Sequence, residues 1–321
     1  MATYLNGVKN TSQIIIIGDV ILDQRSQGTI KRMSPEAPVP ILNIEYEVYL
    51  PGGAANVALN VAAISEKVVL ISRYSDSENS KNIIEPLEAK EIQTENIENS
   101  YEPPIKRRFF AGNQQILRVD DEIVSGVDKF AIVKLEKILE KKLEDNSVIV
   151  VSDYGKGCIT NHAWKTLLDK SKRHKSKIIV DPKNVDLNAY RGAYLIKPNF
   201  KEAQEFIKAS GKSFSTTFEM AKWIQKETKI EWVCITENEK GAVIVGPNEV
   251  SHSYTPRKVS LVDVTGAGDP MLSIFACGIS MNLKPIELIE DCCEIATWSC
   301  TFPGNKIFNI DEYRKWNESV L

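Results

Sequence analysis

Long apolar runs are missing from this sequence. Nothing approaches the roughly 20 residues needed to span a bilayer. The opening stretch MATYLNGVKNTSQ has neither the basic nor the apolar region of an export signal, so cytoplasmic residence is expected and a membrane partner is not. An excess of positive charge is missing too. Lys and Arg total 40 against 43 acidic residues, a net charge of -3, so no global field would recruit nucleic acid. Any anionic ligand must be gripped locally. Histidine is scarce, and His162, His174 and His252 are scattered without metal-ligand spacing. Six cysteines (Cys158, Cys234, Cys277, Cys292, Cys293, Cys300) form no CxxC pair and sit mostly in apolar runs, so they are expected reduced and buried. Repeats, low-complexity tracts and long linkers are also absent. The 321 residues suit one α/β domain with an appendage.

Short β-branched runs recur along the chain at IIIIG (14–18), VVLI (68–71), SVIVVS (147–152), KIIVD (177–181), YLIKP (194–198), WVCIT (232–236) and AVIVG (242–246). Between many of them lie amphipathic stretches of helical length. In AIVKLEKILEKKLE, Ile132, Leu135, Leu139 and Leu143 repeat at three- and four-residue spacing. Continuous apolar strands alternating with helices predict a doubly wound α/β fold: a mostly parallel sheet with helices on both faces. Two segments break the rhythm. Residues 38–51 and 104–122 alternate apolar and polar, as half-exposed antiparallel strands do, and predict a small β flap inserted into a single domain covering 1–321. Its apolar face needs a second surface, which predicts a homodimer through the flap.

The stretch DVTGAGDP (263–270) places two glycines, an alanine and two carboxylates where the apolar run MLSIFACGI must begin a helix. The first N–H groups of a helix lack internal partners and carry the positive end of its dipole. Gly266, Ala267 and Gly268 leave that backbone bare for the close approach of a phosphoryl group. Asp269 beside such an anion hole makes sense as a general base that takes a proton from an acceptor hydroxyl. An aspartate in a first helical turn also simply satisfies the dipole, and Pro270 fits either reading.

These residues resemble the ribokinase-like (carbohydrate kinase B) family. DVTGAGD resembles its C-terminal signature, and PGGAANVALNVA (51–62) its N-terminal glycine motif. GDVILD (18–23) resembles its sugar-binding strand end and NFKE (199–202) its N-x-x-E magnesium motif, all four in the family's order. The resemblance implies an ATP-dependent carbohydrate kinase whose partners are a small sugar phosphate and ATP, with Mg2+ and a monovalent cation such as K+. It implies Asp269 as base, and Asp23, Gly52, Gly53 and Asn56 around the sugar. Asn199 and Glu202 fall on magnesium through water; Asn199, Thr236, Gly241 and Gly268 on the nucleotide; Asp263 on the monovalent cation. GGAAN equally suits close helix packing, and Asn199 with Glu202 is equally a good helix start.

GDVILD, SPEAPVPIL, PGGAANVALN, NQQILRVD, SDYGKG, VDPKN and DVTGAGD together resemble, within that family, the kinases that phosphorylate D-glycero-D-manno-heptose 7-phosphate at its anomeric hydroxyl on the way to ADP-heptose. With no HxGH signature downstream, the chain is expected to be the stand-alone kinase form. A doubly charged 7-phosphate needs cations, and Arg107, Arg108 and Gln114 from the flap, with Lys156 and Lys183 after strand ends, are the candidates; each cation singly also suits a solvated surface. The chain departs from the family in three places. Pro270 removes an N–H after the base, LISRYSDSENS (70–80) lacks the expected glycines, and TENEKGA (236–242) carries more charge than the usual nucleotide loop. SGKS (210–213) is not a P-loop, since Phe206 stands at its first glycine position, and GKGCIT fails the dinucleotide fingerprint at Thr160.

Overall fold

The computed structural model describes residues 12–183 and 187–319. Most of the N-terminal stretch read above, and Asn184 of VDPKN, lie outside the described residues. Nine strands form the main sheet in the order β13-β12-β11-β10-β9-β8-β1-β4-β5. They are β1 (Ile14–Gly18), β4 (Val68–Ser72), β5 (Gln93–Asn96), β8 (Val148–Ser152), β9 (Lys177–Asp181), β10 (Leu195–Ile196), β11 (Trp232–Thr236), β12 (Ala242–Val245) and β13 (Ser251–Tyr254). From β11 to β5 every pairing is parallel, and β12 and β13 close one edge antiparallel. The β-branched runs pack this way because both faces are covered: Ile14 and Ile16 of β1 enter one apolar cluster, Ile15 and Ile17 the other.

The first cluster is completed by α1 (Ala54–Ala62), α2 (Glu78–Glu88), α7 (Gly268–Ser280), α8 (Pro285–Ser299) and α9 (Ile310–Ser319). The second is completed by α3 (Lys129–Lys142), α4 (Asn161–Arg173), α5 (Phe200–Ala209) and α6 (Thr217–Thr228). In α3, Leu135 and Leu139 are buried, as the spacing predicts, with Ile132 packed at the margin. All six cysteines are free and buried. No helix among the described residues is long and apolar enough to cross a membrane.

The flap is larger than expected. It has four strands in the order β3-β2-β6-β7, and β2 (Val20–Met33) joins β3 (Pro40–Gly53), β6 (Ile105–Ala111) and β7 (Gln114–Asp121). It is also mixed, because β2 and β6 run parallel. Residues 20–33 escaped the alternation rule because their first third is buried at the root of the flap and their last third is exposed. Residues 43–49 of β3 are exposed in unbroken succession, so that half of the flap has solvent on both faces.

Candidate active site

The site lies at the carboxyl ends of the parallel strands, where Asp181 ends β9 and Lys197 follows β10, the edge at which open α/β sheets bind ligands. Asp269, in the first turn of α7, is only 2 % exposed. Asn56 Nδ2 donates to its Oδ2 at 2.7 Å, and the Tyr154 hydroxyl donates to its Oδ1 at 2.8 Å. Asn56 is presented by α1, whose small residues let it pack against α7. Its amide is oriented in turn by Asn60, which donates to Asn56 Oδ1 at 3.2 Å and accepts the Phe308 N–H at 2.8 Å. Burial pushes the Asp269 carboxyl up to about 7; the Asn56 hydrogen bond opposes this, the Asp181 charge adds to it, and Tyr154 and Lys197 pull it back down.

Asp23 stands at the root of the flap on β2. Arg108 of β6 meets its Oδ1 at 2.5 Å and Asn305 donates to its Oδ2 at 2.7 Å. A side chain at Gly52 would strike Asp23 Oδ2, and one at Gly53 (φ +60°) would strike the Asp19 carbonyl, so the glycine pair is dictated locally. Gly266 (φ +72°) joins the two halves. A Cβ there would lie 2.5 Å from Asn305 Oδ1 and 3.6 Å from Asn56 Nδ2. Asp23, Asn305, Gly266, Asn56 and Asp269 thus form one contiguous row.

The helix start is barer at two of the three expected positions. The Asp269 N–H bonds the Gly266 carbonyl at 3.0 Å and that of Ala267 leans toward Val264 O at 3.4 Å, whereas the N–H groups of Gly266 and Gly268 make no backbone hydrogen bond among the described residues. Beneath Gly268 sits a cation that motif reading passed over. Lys197 Nζ lies 3.1 Å from where a Gly268 Cβ would be and pairs with Asp181 at 3.0 Å. Burial works against its charge, but Asp181 outweighs this and holds the ammonium pKa above the usual lysine value. Both residues close apolar runs, KIIVD and YLIKP, at the ligand edge of the sheet, and that was the available signal.

The remaining candidates divide. Asn199 caps α5 in a capping box: Asn199 Oδ1 accepts the Glu202 N–H at 2.9 Å and Glu202 Oε2 accepts the Asn199 N–H at 3.0 Å. Thr236 at the end of β11 bridges to Asn199. Gly241 (φ +89°) turns the chain into β12, and a side chain there would strike the Tyr254 carbonyl. The Asp263 carboxylate accepts the Thr265 N–H at 2.8 Å and the Gly304 N–H at 3.0 Å; burial works against its ionisation, yet these bonds keep its pKa below the usual carboxylate range.

In the ligand-free chain, the cations expected to share one anion each pair with a carboxylate. Lys183 pairs with Glu202 at 3.0 Å, on the Asn199 side. Lys156 pairs with Glu122 at 2.7 Å and Arg107 with Asp121 at 3.2 Å. Gln114 begins β7 opposite Ala111, five rungs along β6 from Lys106, which faces Asp23, and it is exposed. The alternating pattern located these strands but not how far each residue stands from the flap's root.

Asp19, of the same GDVILD motif, organises the loop after β8 by accepting the N–H groups of Tyr154, Lys156 and Cys158 at 3.1, 3.0 and 2.9 Å.

Residues 12–310 match the pfkB family carbohydrate kinase profile. The chain belongs to that family. Among curated relatives, this pfkB-family kinase is 34 % identical over 275 residues to a protein of Aliarcobacter butzleri named Bifunctional protein HldE, covering 84 % of this chain and 57 % of that one. The protein of the same name from Koribacter versatilis is 30 % identical over 289 residues, covering 89 % and 59 %. The chain therefore spans a little under three-fifths of these relatives. Phosphofructokinase-2 from Escherichia coli in complex with potassium superposes with a TM-score of 0.79 at 17 % identity, covering 96 % of this chain and 99 % of that one. Ribokinase from Thermotoga maritima superposes with a TM-score of 0.73 at 20 % identity, covering 96 % and 99 %. These two likenesses establish the shared fold.

No three His, Cys, Asp or Glu side chains gather as a metal cage among the described residues. With Glu202 already engaged by a backbone N–H and by Lys183, the donors fit a magnesium ion carried on nucleotide phosphates and water better than one ligated directly.

Proposed function

We propose that this carbohydrate kinase transfers the γ-phosphoryl group of ATP to the anomeric hydroxyl of D-glycero-D-manno-heptose 7-phosphate, giving the 1,7-bisphosphate used to make ADP-heptose for lipopolysaccharide. The observation that carries the reading is the row from Asp23 through Asn305, Gly266 and Asn56 to Asp269, which sets hydroxyl-reading groups beside a buried base and a bare helix start. The heptose follows from the motif set and is supported by the relatives named HldE.

In this reading Asp23, held by Arg108 and Asn305, reads sugar hydroxyls, and Gly52 and Gly53 let the ring approach the backbone. Asp269 accepts the acceptor's proton as its oxygen attacks the γ-phosphorus and the bond to the β,γ-bridging oxygen breaks, releasing ADP. The N–H groups of Gly266 and Gly268 and the Lys197 ammonium face the charge that develops on the transferring group. Magnesium, when bound, neutralises the nucleotide phosphates; Asn199 and Glu202 orient its water, and Thr236 and Gly241 shape the nucleotide side. Asp263 fixes the loop in which a potassium ion would sit. The 7-phosphate draws Lys156 out of its pair with Glu122 and meets Arg108 where it holds Asp23, with Gln114 following from the flap and Lys183 from the nucleotide side. The protein works as a cytoplasmic homodimer through the flap.

The structural neighbours include phosphofructokinase-2, so a different sugar phosphate is the competing reading. Purified protein with ATP, Mg2+ and a panel of ribose, fructose, fructose 6-phosphate and the heptose 7-phosphate decides between them. The heptose phosphate is expected to exceed the others by at least 100-fold in kcat/KM, and strong turnover of fructose 6-phosphate with none of the heptose phosphate overturns the substrate assignment.

A further inference from the structure

Asp269 faces a problem that its burial creates. A carboxylate removed from water holds its proton near neutral pH and cannot then collect another. Two donors counter this. Asn56 belongs to the sugar-side glycine motif, but Tyr154 comes from a separate element, the SDYGKG loop after β8, and its hydroxyl reaches Asp269 Oδ1 at 2.8 Å across 115 residues of chain.

That loop is fastened on every side. Asp19 accepts three of its N–H groups, and Asp153 accepts the Gly155 N–H at 2.7 Å and the Tyr190 hydroxyl at 2.6 Å. The buried Arg73 guanidinium donates to the carbonyls of Lys156 and Ser125 while lying 3.5 Å over the Tyr101 ring. A side chain at Gly157 would strike the Ser125 carbonyl, so the loop packs tightly against Ser125 there. The phenol itself is held neutral, because burial and the adjacent Asp269 push its pKa well above the ordinary tyrosine value. It stays a donor at every working pH. The charged groups acting on the pair from neighbouring elements are Asp181 at the end of β9, Lys197 after β10 and Asp23 on β2.

We propose that Tyr154 is a positioning residue for the base: its hydroxyl fixes Oδ1 of Asp269 and favours the ionised carboxylate against burial, leaving the remaining lone pairs for the acceptor hydroxyl. This rests on Asp269 being the base, as proposed above. Tyr154 keeps its proton throughout; the proton moves only from the acceptor oxygen to Asp269.

The test uses the full chain with 13C-labelled aspartate carboxyls, the Asp269 signal being identified by its loss in Asp269→Asn. In Tyr154→Phe the Asp269 titration midpoint is expected to rise by about one pH unit. The acid limb of kcat/KM moves with it, so that activity falls about 10-fold below the limb and stays within about 3-fold of native above it. Incorporation of 3-fluorotyrosine at position 154, a more acidic donor, is expected to move the midpoint the opposite way. An unchanged midpoint with a uniform loss at all pH values overturns the proposal and leaves Tyr154 as packing. Should Asp269→Asn retain native turnover, the base assignment itself fails, an outcome that the NMR titration distinguishes from failure of the Tyr154 role.

Discussion

Asn305 and Asp23, 282 residues apart in sequence, are joined by a 2.7 Å hydrogen bond from the Asn305 amide to the Asp23 carboxylate. The other end of the same amide lies against Gly266, so one side chain touches both the sugar-reading carboxylate and the phosphate-facing turn. Asn305→Ala removes one of two clamps on Asp23 and is expected to raise the KM for the sugar about 10-fold, the cost of one hydrogen bond to a charged group, with the KM for ATP nearly unchanged. Initial rates with each substrate varied check this. Asn305→Asp, which sets two carboxylates face to face, should lose more than the alanine variant.

Gly266 has no conformational alternative. At φ +72°, with Asn305 Oδ1 2.5 Å from where a Cβ would stand, alanine must push either the turn or the amide. Gly266→Ala is expected to lower kcat about 100-fold, as sub-ångström displacement of reacting groups does, while the chain still folds. A variant with kcat within 3-fold of native removes the turn from the chemistry.

Asp269 couples catalysis to stability, and the sign follows from the direction of its shift. Its folded-state value of about 7 lies above the ordinary aspartate value of 3.8, so the native state holds a proton that the unfolded chain releases. The associated stability is fully present below about pH 4 and is lost as pH rises through about 7. Asp269→Asn carries no such charge. Its stability advantage over the native chain is expected to grow by roughly 2 kcal/mol between pH 5 and pH 8, read from urea midpoints at both values. An advantage independent of pH means that the carboxylate is not desolvated in the ligand-free protein.

Much of this was legible in the residues because the physics was local. Seven β-branched runs became strands, six of them in the parallel part of the sheet, where both faces are covered, and AVIVG as the antiparallel β12. The edge strands β5 (QTEN) and β13 (SHSY) escaped because strands at a sheet's rim need no apolar pattern. In the site, GAGD and GGAAN announced themselves by bare backbone, whereas Tyr154, Lys197 and Asn305 did not. Each is an ordinary residue type whose role comes from a partner more than a dozen residues away. A strand-end lysine likewise shows its charge in sequence but not the carboxylate it will meet, as Lys183 meets Glu202.

Arg73 is the clearest product of such distant pairing. The segment LISRYSDSENS lacks the glycines its family position suggests, and its Arg73 is only 1 % exposed. Besides the two loop carbonyls it meets Glu98 at 3.3 Å. Arg73→Met leaves those carbonyls unpaired in the interior and is expected to destabilise the fold by about 3 kcal/mol, seen as a lower urea midpoint at unchanged slope. Because the same loop carries Tyr154, kcat/KM should fall as well, while substitution of an exposed surface arginine such as Arg32 leaves both unchanged.

The two faces of the flap make separable predictions. The register puts Asp23, Arg108, Val48 and Tyr46 on one face, with Asp23 directed at the site. Leu117 and Val119, two apart on β7, share the opposite face and are 54 % and 40 % exposed. If the first face closes over the sugar, the second is the one left for another subunit. A sheet this small is not stable with apolar side chains wet on both sides. The native chain is therefore expected to sediment as a dimer at micromolar concentration, and Leu117→Asp as a monomer with a weakened lid. Tyr46→Asp should remain dimeric but raise the KM for the sugar. Native protein that sediments as a monomer contradicts the flap-mediated dimer, and a Tyr46→Asp monomer beside a Leu117→Asp dimer reverses the assignment of the faces.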